Sequence, residues 1–156
     1  MEKLLLSLHV LAGIVLVGGS AVATSLFPRY APVASGVPAG GAPGDPTPQE
    51  RNRAVAVALH RITRGYSVFG LVVPVVGIAL AVVQGRMGEI WINISMVLTA
   101  AAGGLLAVQI YPRQQAALAE PGDGKELRTL SMLAGIYNLL WAAVVVMMIV
   151  RPGSYR

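Results

Sequence analysis

Two histidines, His9 and His60, are the residues of this chain with the most chemistry to offer. A pair of imidazoles in an apolar protein raises bis-histidine haem ligation, since a neutral ring nitrogen is a common axial ligand. Their positions argue against one shared iron. His9 lies one to two turns into the first apolar run, and His60 lies before the apolar part of the second. With a helical rise of 1.5 Å per residue, their depths differ by roughly 25 Å. That leaves His9 as a single candidate for haem or metal binding, helped by another subunit, beside its plainer reading as a hydrogen-bonded packing residue. For His60 the expectation is an interfacial position beside Arg61.

Other chemistry is sparse. Cysteine is absent, which removes disulfides, thiol catalysis and thiolate metal sites. There is no phosphate-binding loop, no G-x-S-x-G and no H-E-x-x-H. Every carboxylate lies at the end of an apolar run or in a loop: Glu2, Asp45, Glu50, Glu89, Glu120, Asp123 and Glu126. A pump or coupled transporter generally keeps ionisable groups at mid-membrane depth, and these runs contain none. The polar residues inside them are His9, Asn93, Gln109 and Asn138. Asn138 is expected to bond across helices. No catalytic residue and no resident cofactor is expected, with haem at His9 as the alternative.

The elements that would position these groups follow from composition. Of 156 residues, 55% are hydrophobic and 12% charged, against about 25% charged in a soluble domain. Four apolar runs are long enough to cross a bilayer, which takes about 20 helical residues. They are Leu4 to Phe27, Tyr66 to Val83, Ile90 to Ile110 and Leu130 to Val150. A helix satisfies its own backbone, so it is the form such runs take in lipid. The first, with Lys3 before it and Ala21 to Ala23 near its end, has features of a signal peptide. Its length favours a retained span. The expected architecture is all-α: one polytopic domain over 1–156, a bundle of four transmembrane helices near 4–27, 51–84, 90–119 and 125–150. The stretch 31–50, "APVASGVPAGGAPGDPTPQE", reads as a flexible Pro/Gly-rich cytoplasmic loop. The second helix is expected to begin near Glu50 and to kink at Pro74.

Two of the runs end alike, in Phe27-Pro28-Arg29 and Tyr111-Pro112-Arg113, each preceded by a glycine pair, Gly18-Gly19 and Gly103-Gly104. Arg61 stands as far before Val83 as Arg128 stands before Val150. The pattern reads as two related helical hairpins in parallel repeat. The triplet suits an interface: an aromatic ring at headgroup depth, a proline loosening the helix, and an arginine gripping lipid phosphate. Phe27, Arg29, Arg61, Arg64, Tyr111 and Arg113 are therefore candidate contacts for lipid or a partner. Small residues at four-residue spacing, Gly19 with Ala23, Gly77 with Ala81, and Gly103 and Gly104 with Thr99 and Ala100, are candidates for close helix packing.

Charge orients the chain. Lys3, Arg86, Arg151 and Arg156 share one side; Arg29, Arg51, Arg53, Arg61, Arg64, Arg113, Lys125 and Arg128 share the other. The excess favours the two larger loops as cytoplasmic and both termini outside. The net charge of +5 is explained by these flanks, without nucleic acid.

The stretch "LHVLAGIVLVGG", Leu8 to Gly19, resembles the opening of several bacterial four-helix membrane families. One is the DUF2269 family of predicted integral membrane proteins. The copper-resistance D-like and protoporphyrinogen-oxidase J-like families begin with a similar helix, and that resemblance implies a haem- or metal-linked role for His9. The chain departs from them in having no second intramembrane histidine. Together these observations point to a non-catalytic accessory or structural subunit of a larger complex in a bacterial inner membrane. The alternatives are a haem-associated oxidoreductase component using His9, and a small transporter or lipid-binding protein. Expected partners are membrane lipids and either a larger membrane complex or further copies of the chain.

Overall fold

A computed structural model describes residues 2–36, 51–70 and 72–153. The described chain is all-helical: α1 (Glu2–Tyr30), α2 (Arg53–Phe69), α3 (Val72–Val83), α4 (Ile90–Gly104), a π-helical segment (Leu105–Ile110), α5 (Tyr111–Ala119) and α6 (Lys125–Val150). These make four spans, each long and apolar enough to cross a membrane: Lys3–Tyr30, Arg53–Val83, Ile90–Ala119 and Lys125–Val150. The protein is a multi-pass membrane protein built as a four-helix bundle. Span one packs on α2 and α3 and on α6, α6 packs on α4, and α2 meets α5 to close the ring.

The second and third spans are longer than the bilayer needs. Thirty residues of helix reach about 45 Å, against about 30 Å of hydrocarbon. The first turns of α2, together with α5, therefore extend past the apolar layer at the basic end. There the packing is that of a water-soluble protein. Phe27, Ala31, Ala56, Leu59, Ile110, Ala117, Leu118, Leu127 and Leu130 form a buried apolar core. Helix α2 is amphipathic, with Ala56, Leu59 and Thr63 inward and Arg61 and Arg64 outward. Towards the other end the helices keep apolar side chains outward, as Leu4, Leu8, Leu11 and Val15 do on α1. Lipid supplies no hydrophobic drive to bury them.

Helix ends are closed by specific groups. Asn52 Oδ1 accepts from Ala54 N and Val55 N, capping α2. The helix thus starts at Arg53 rather than near Glu50, because Asn52 supplies the acceptor and its own N–H bonds Tyr30 O. Arg51 donates to the Pro28 and Ala31 carbonyls at the end of α1, and Arg53 to Leu118 O at the end of α5. Ala34 N donates to Gly122 O, so the first residues of the loop after α1 are tied to the turn before α6. The remainder of the expected flexible loop, 37–50, lies outside the described residues. In that turn Gly124 has φ +90°, a conformation that favours glycine. Asp123 accepts from Lys125, which holds its carboxyl below the usual range. A depressed carboxylate stabilises above its unfolded pKa and loses that effect as pH falls through its folded value.

Three prolines sit on helices, each with its own solution to the missing N–H. The second span is divided into α2, which ends at Phe69, and α3, which starts at Val72, one turn before Pro74. The reason is the reach of the ring: Pro74 would clash with the carbonyl of Gly70, one turn earlier, and it sits in the first turn of α3, where no donor is required. Helix α1 ends two residues after Pro28. Before Pro112 the third span widens into the π-segment, with Tyr111 N bonded to Leu106 O. The two aromatic-Pro-Arg triplets thus face one local problem and answer it differently.

Gly19 leaves room for the side chain of Tyr66 on α2. A Cβ there would clash with Tyr66 Oη, whereas at Gly18 it would meet nothing within 4 Å. Gly19→Ala is therefore expected to destabilise the bundle by about 1–3 kcal/mol and to lower its melting temperature in detergent. Gly18→Ala should be silent, and Tyr66→Leu should recover part of the loss in the double variant.

Candidate functional site

The best-defined polar constellation lies where the water-exposed core meets the apolar layer. His60 on α2 faces α5. Its Nδ1 lies 3.2 Å from Gln114 Oε1, and its ring stacks on Tyr111 with centroids 5.0 Å apart and planes within 10°. On the other side stands Phe27, tilted, at 6.4 Å. With this amide orientation, Nδ1 carries the proton and donates, and Nε2 is the free acceptor. Phe27 and Tyr111, the aromatics of the two matching triplets, thus converge on one imidazole. Phe27 is fully buried, so it is withheld from lipid rather than set at headgroup depth. The core at this end draws the ring inward because α2 covers it.

Gln114 is fully buried, and its Nε2 has no partner. By the spacing that aligns Arg61 with Arg128, the counterpart of His60 in the second hairpin is Leu127, which is buried in the same core. The second span therefore carries an imidazole where the fourth packs a leucine. What the geometry can do is hold an imidazole at fixed rotation between two helices.

A second polar layer lies deeper. Ser20 and Tyr137 share a buried 2.8 Å hydrogen bond between α1 and α6. Tyr66 donates to Val15 O from α2 to α1. Asn138 donates to Ser25 Oγ at 3.0 Å. Tyr137 meets Trp141 edge-to-face at 6.3 Å. Each such bond contributes on average about 0.6 kcal/mol within a membrane, but together they fix the register of α6 against α1.

His9 stands apart from all of this. Its ring packs over Gly77, where a Cβ would come 3.4 Å from Cε1, and its Nδ1 is buried without a partner. From His60 to Gly77 the helical rise amounts to roughly 25 Å, so the two imidazoles serve separate places. Among the described residues no group of three or more His, Asp or Glu is placed to hold a metal ion.

Arg113 is engaged by Glu126 at 3.2 Å and by Gln109. Arg29, Arg61 and Arg64 point outward from α1 and α2. Of the packing candidates, Gly19 and Gly77 lie against Tyr66 and His9, and Ala23 and Ala81 are buried. Gly103 and Gly104 differ from expectation. Both are exposed with open space around them, because α4 turns Thr99, Ala102 and Leu106 inward instead.

Sequence reasoning passed over Gln114, Tyr66, Ser20 and Tyr137, and read Arg51 and Arg53 only as charges that orient the chain, not as caps. Gln114 left a trace: it interrupts the stripe Ile110, Ala117, Leu118 at helical spacing, so an amide falls on the apolar face of α5. The others carry no local signal, since each is defined by a neighbour on a different helix. Compared with known protein families, curated proteins and solved structures, the chain shows no significant match.

His60→Leu alone should destabilise by about 1–3 kcal/mol, because it strands both ends of a buried amide. The double variant His60→Leu, Gln114→Leu should recover most of that loss in thermal unfolding. A double variant no more stable than the single one would show that the pair is not coupled.

Proposed function

We propose that the protein is a non-catalytic structural subunit of a larger assembly in a bacterial inner membrane, docked through α1. The observation that carries this reading is an outward stripe on that helix. Leu4, Leu8, Leu11, Val15, Gly18 and Val22 follow one another at alternating four- and three-residue spacing and are all exposed. Such spacing is the seam a second helix reads, and Gly18, with open space around it, admits close approach. Several polar side chains of the bundle are meanwhile committed to its own helix contacts, as Ser20 is to Tyr137 and Arg51 to the end of α1. Arg29, Arg61 and Arg64 are placed to meet lipid phosphate at the basic end.

Gly18→Leu tests the seam. It fills space that the chain itself leaves open, so the isolated protein should keep its melting temperature. The tagged variant should lose the membrane subunits that the wild type retains stoichiometrically in a mild-detergent pull-down. Recovery of the wild-type chain alone, or equal retention by the variant, would overturn the reading.

The excess of cations beside the loops at the α1–α2 and α5–α6 connections supports a cytoplasmic basic end with both termini outside. The chain has no cysteine, so single cysteines report cleanly. Gly88→Cys should react with a membrane-impermeant maleimide from outside, and Gly122→Cys only after permeabilisation. The reverse pattern inverts the topology.

A further inference from the structure

The cations of the basic end are not all in the same state. Arg51 and Arg53 donate to backbone carbonyls at the ends of α1 and α5. Arg113 pairs with Glu126, and Lys125 with Asp123. Arg29, Arg61 and Arg64 are exposed and have no hydrogen bond or ion pair among the described residues. The carboxylates account for the difference. Among the described residues those of the basic end, Glu120, Asp123 and Glu126, all stand in or beside the α5–α6 turn. Helix α2 has arginines at 53, 61 and 64 and no Asp or Glu, and Glu2 lies at the far end of α1. The α5–α6 side therefore carries counter-charges of its own, and α2 carries none.

Arg61 and Arg64 are neighbours on one helix face, with Cβ atoms about 5–6 Å apart at this spacing. Like charges so placed repel, and nothing on α2 offsets them. The inward face of the helix is Ala56, Leu59 and Thr63, so the two guanidiniums are directed away from the bundle. Their depth follows from the rest of the span, which ends at Val83. From Arg64 to Val83 the helical rise is about 28 Å, close to the ~30 Å of hydrocarbon in a bilayer. With Val83 at one edge of the hydrocarbon, Arg64 stands at the phosphate level of the other leaflet, and Arg61 one turn above it. Val68, one turn below Arg64 on the same stripe, is 64% exposed. Cation, cation and apolar residue thus follow one another from the headgroup level inward.

This order matches a phospholipid, phosphate above and acyl chain below. A guanidinium grips two phosphate oxygens with parallel hydrogen bonds. Charge narrows the lipid further. A zwitterionic headgroup brings its own ammonium to a place that already holds two cations, whereas an anionic headgroup brings the missing counter-charge. Depth separates a lipid from an acidic peptide, which would have to displace headgroups to reach Arg64. We propose that Arg61 and Arg64 form a binding surface for an anionic phospholipid, its phosphate on the two guanidiniums and an acyl chain along Val68. Arg29 adds to the positive field from α1. The proposal rests on the lipid contact of these arginines in the proposed function and needs no partner along α1.

The test is native mass spectrometry of the purified chain in mild detergent, with equimolar phosphatidylglycerol and phosphatidylcholine of the same acyl composition. The wild type should retain phosphatidylglycerol in preference. Arg61→Gln and Arg64→Gln should each weaken its retention about fivefold, and together they should abolish the preference. Lys125→Gln, whose charge is already paired with Asp123, should leave it unchanged. All these positions are exposed, so the variants should keep the wild-type melting temperature. Equal retention of the two lipids by the wild type, or a preference that survives in the double variant, would overturn the proposal. So would displacement of phosphatidylglycerol by millimolar inorganic phosphate, which would make a free anion the ligand. None of these variants touches the α1 seam, so a failure here leaves the pull-down through Gly18 to be judged separately.

Discussion

The structure answers to two solvents at once. In lipid, association gains nothing from hiding leucine or valine, so helices can leave such residues outward and rely on close approach and a few hydrogen bonds. In water the same residues drive burial. The second and third spans cross from one regime to the other. Where they leave the apolar layer, α2 and α5 become amphipathic and assemble a dense core with the end of α1 and the start of α6. That core holds Phe27, positions His60 and brings the arginines outward. Away from it, α1 carries no buried residue before Ser20 among the described side chains, and the helices are registered by polar pairs instead.

This division explains which features were legible from the sequence. Span number, helical class and the basic end follow from hydropathy and charge, which are local properties. The role of the aromatic-Pro-Arg triplets was not, although the triplets themselves were conspicuous. A ring beside a proline and an arginine looks interfacial when read alone. Phe27 is buried because α2 folds across it, and that is decided by Asn52 and Arg51, which clamp the start of α2 to the end of α1. Gly103 and Gly104 mislead for the complementary reason. A glycine pair marks a surface that can be approached, but only the rest of α4 decides whether that surface faces inward. The polar pairs Ser20–Tyr137 and Asn138–Ser25 join residues more than a hundred positions apart, so no window along the chain contains both partners.

The unpartnered atoms divide in the same way. Gln114 belongs to the dense core and shares its amide with His60, so its exposure to an unsatisfied state is set by the fit of α2 on α5. His9 and Ser95 belong to the loosely registered half, where neighbouring helices make fewer demands on each side chain.

The π-segment before Pro112 has a consequence for how the third span was assembled. Widening one turn admits an extra residue without lengthening the helix by a full step, which rotates everything downstream by about a quarter turn relative to a regular α-helix. Tyr111 and Gln114 owe their aim at His60 to that rotation, while Ser95 and Thr99 keep the orientation set by α4. The span thus behaves as two faces joined by a phase shift. Its membrane half and its loop-side half can be tuned for different neighbours, and a single-residue deletion between Leu105 and Ile110 would re-aim one without disturbing the other.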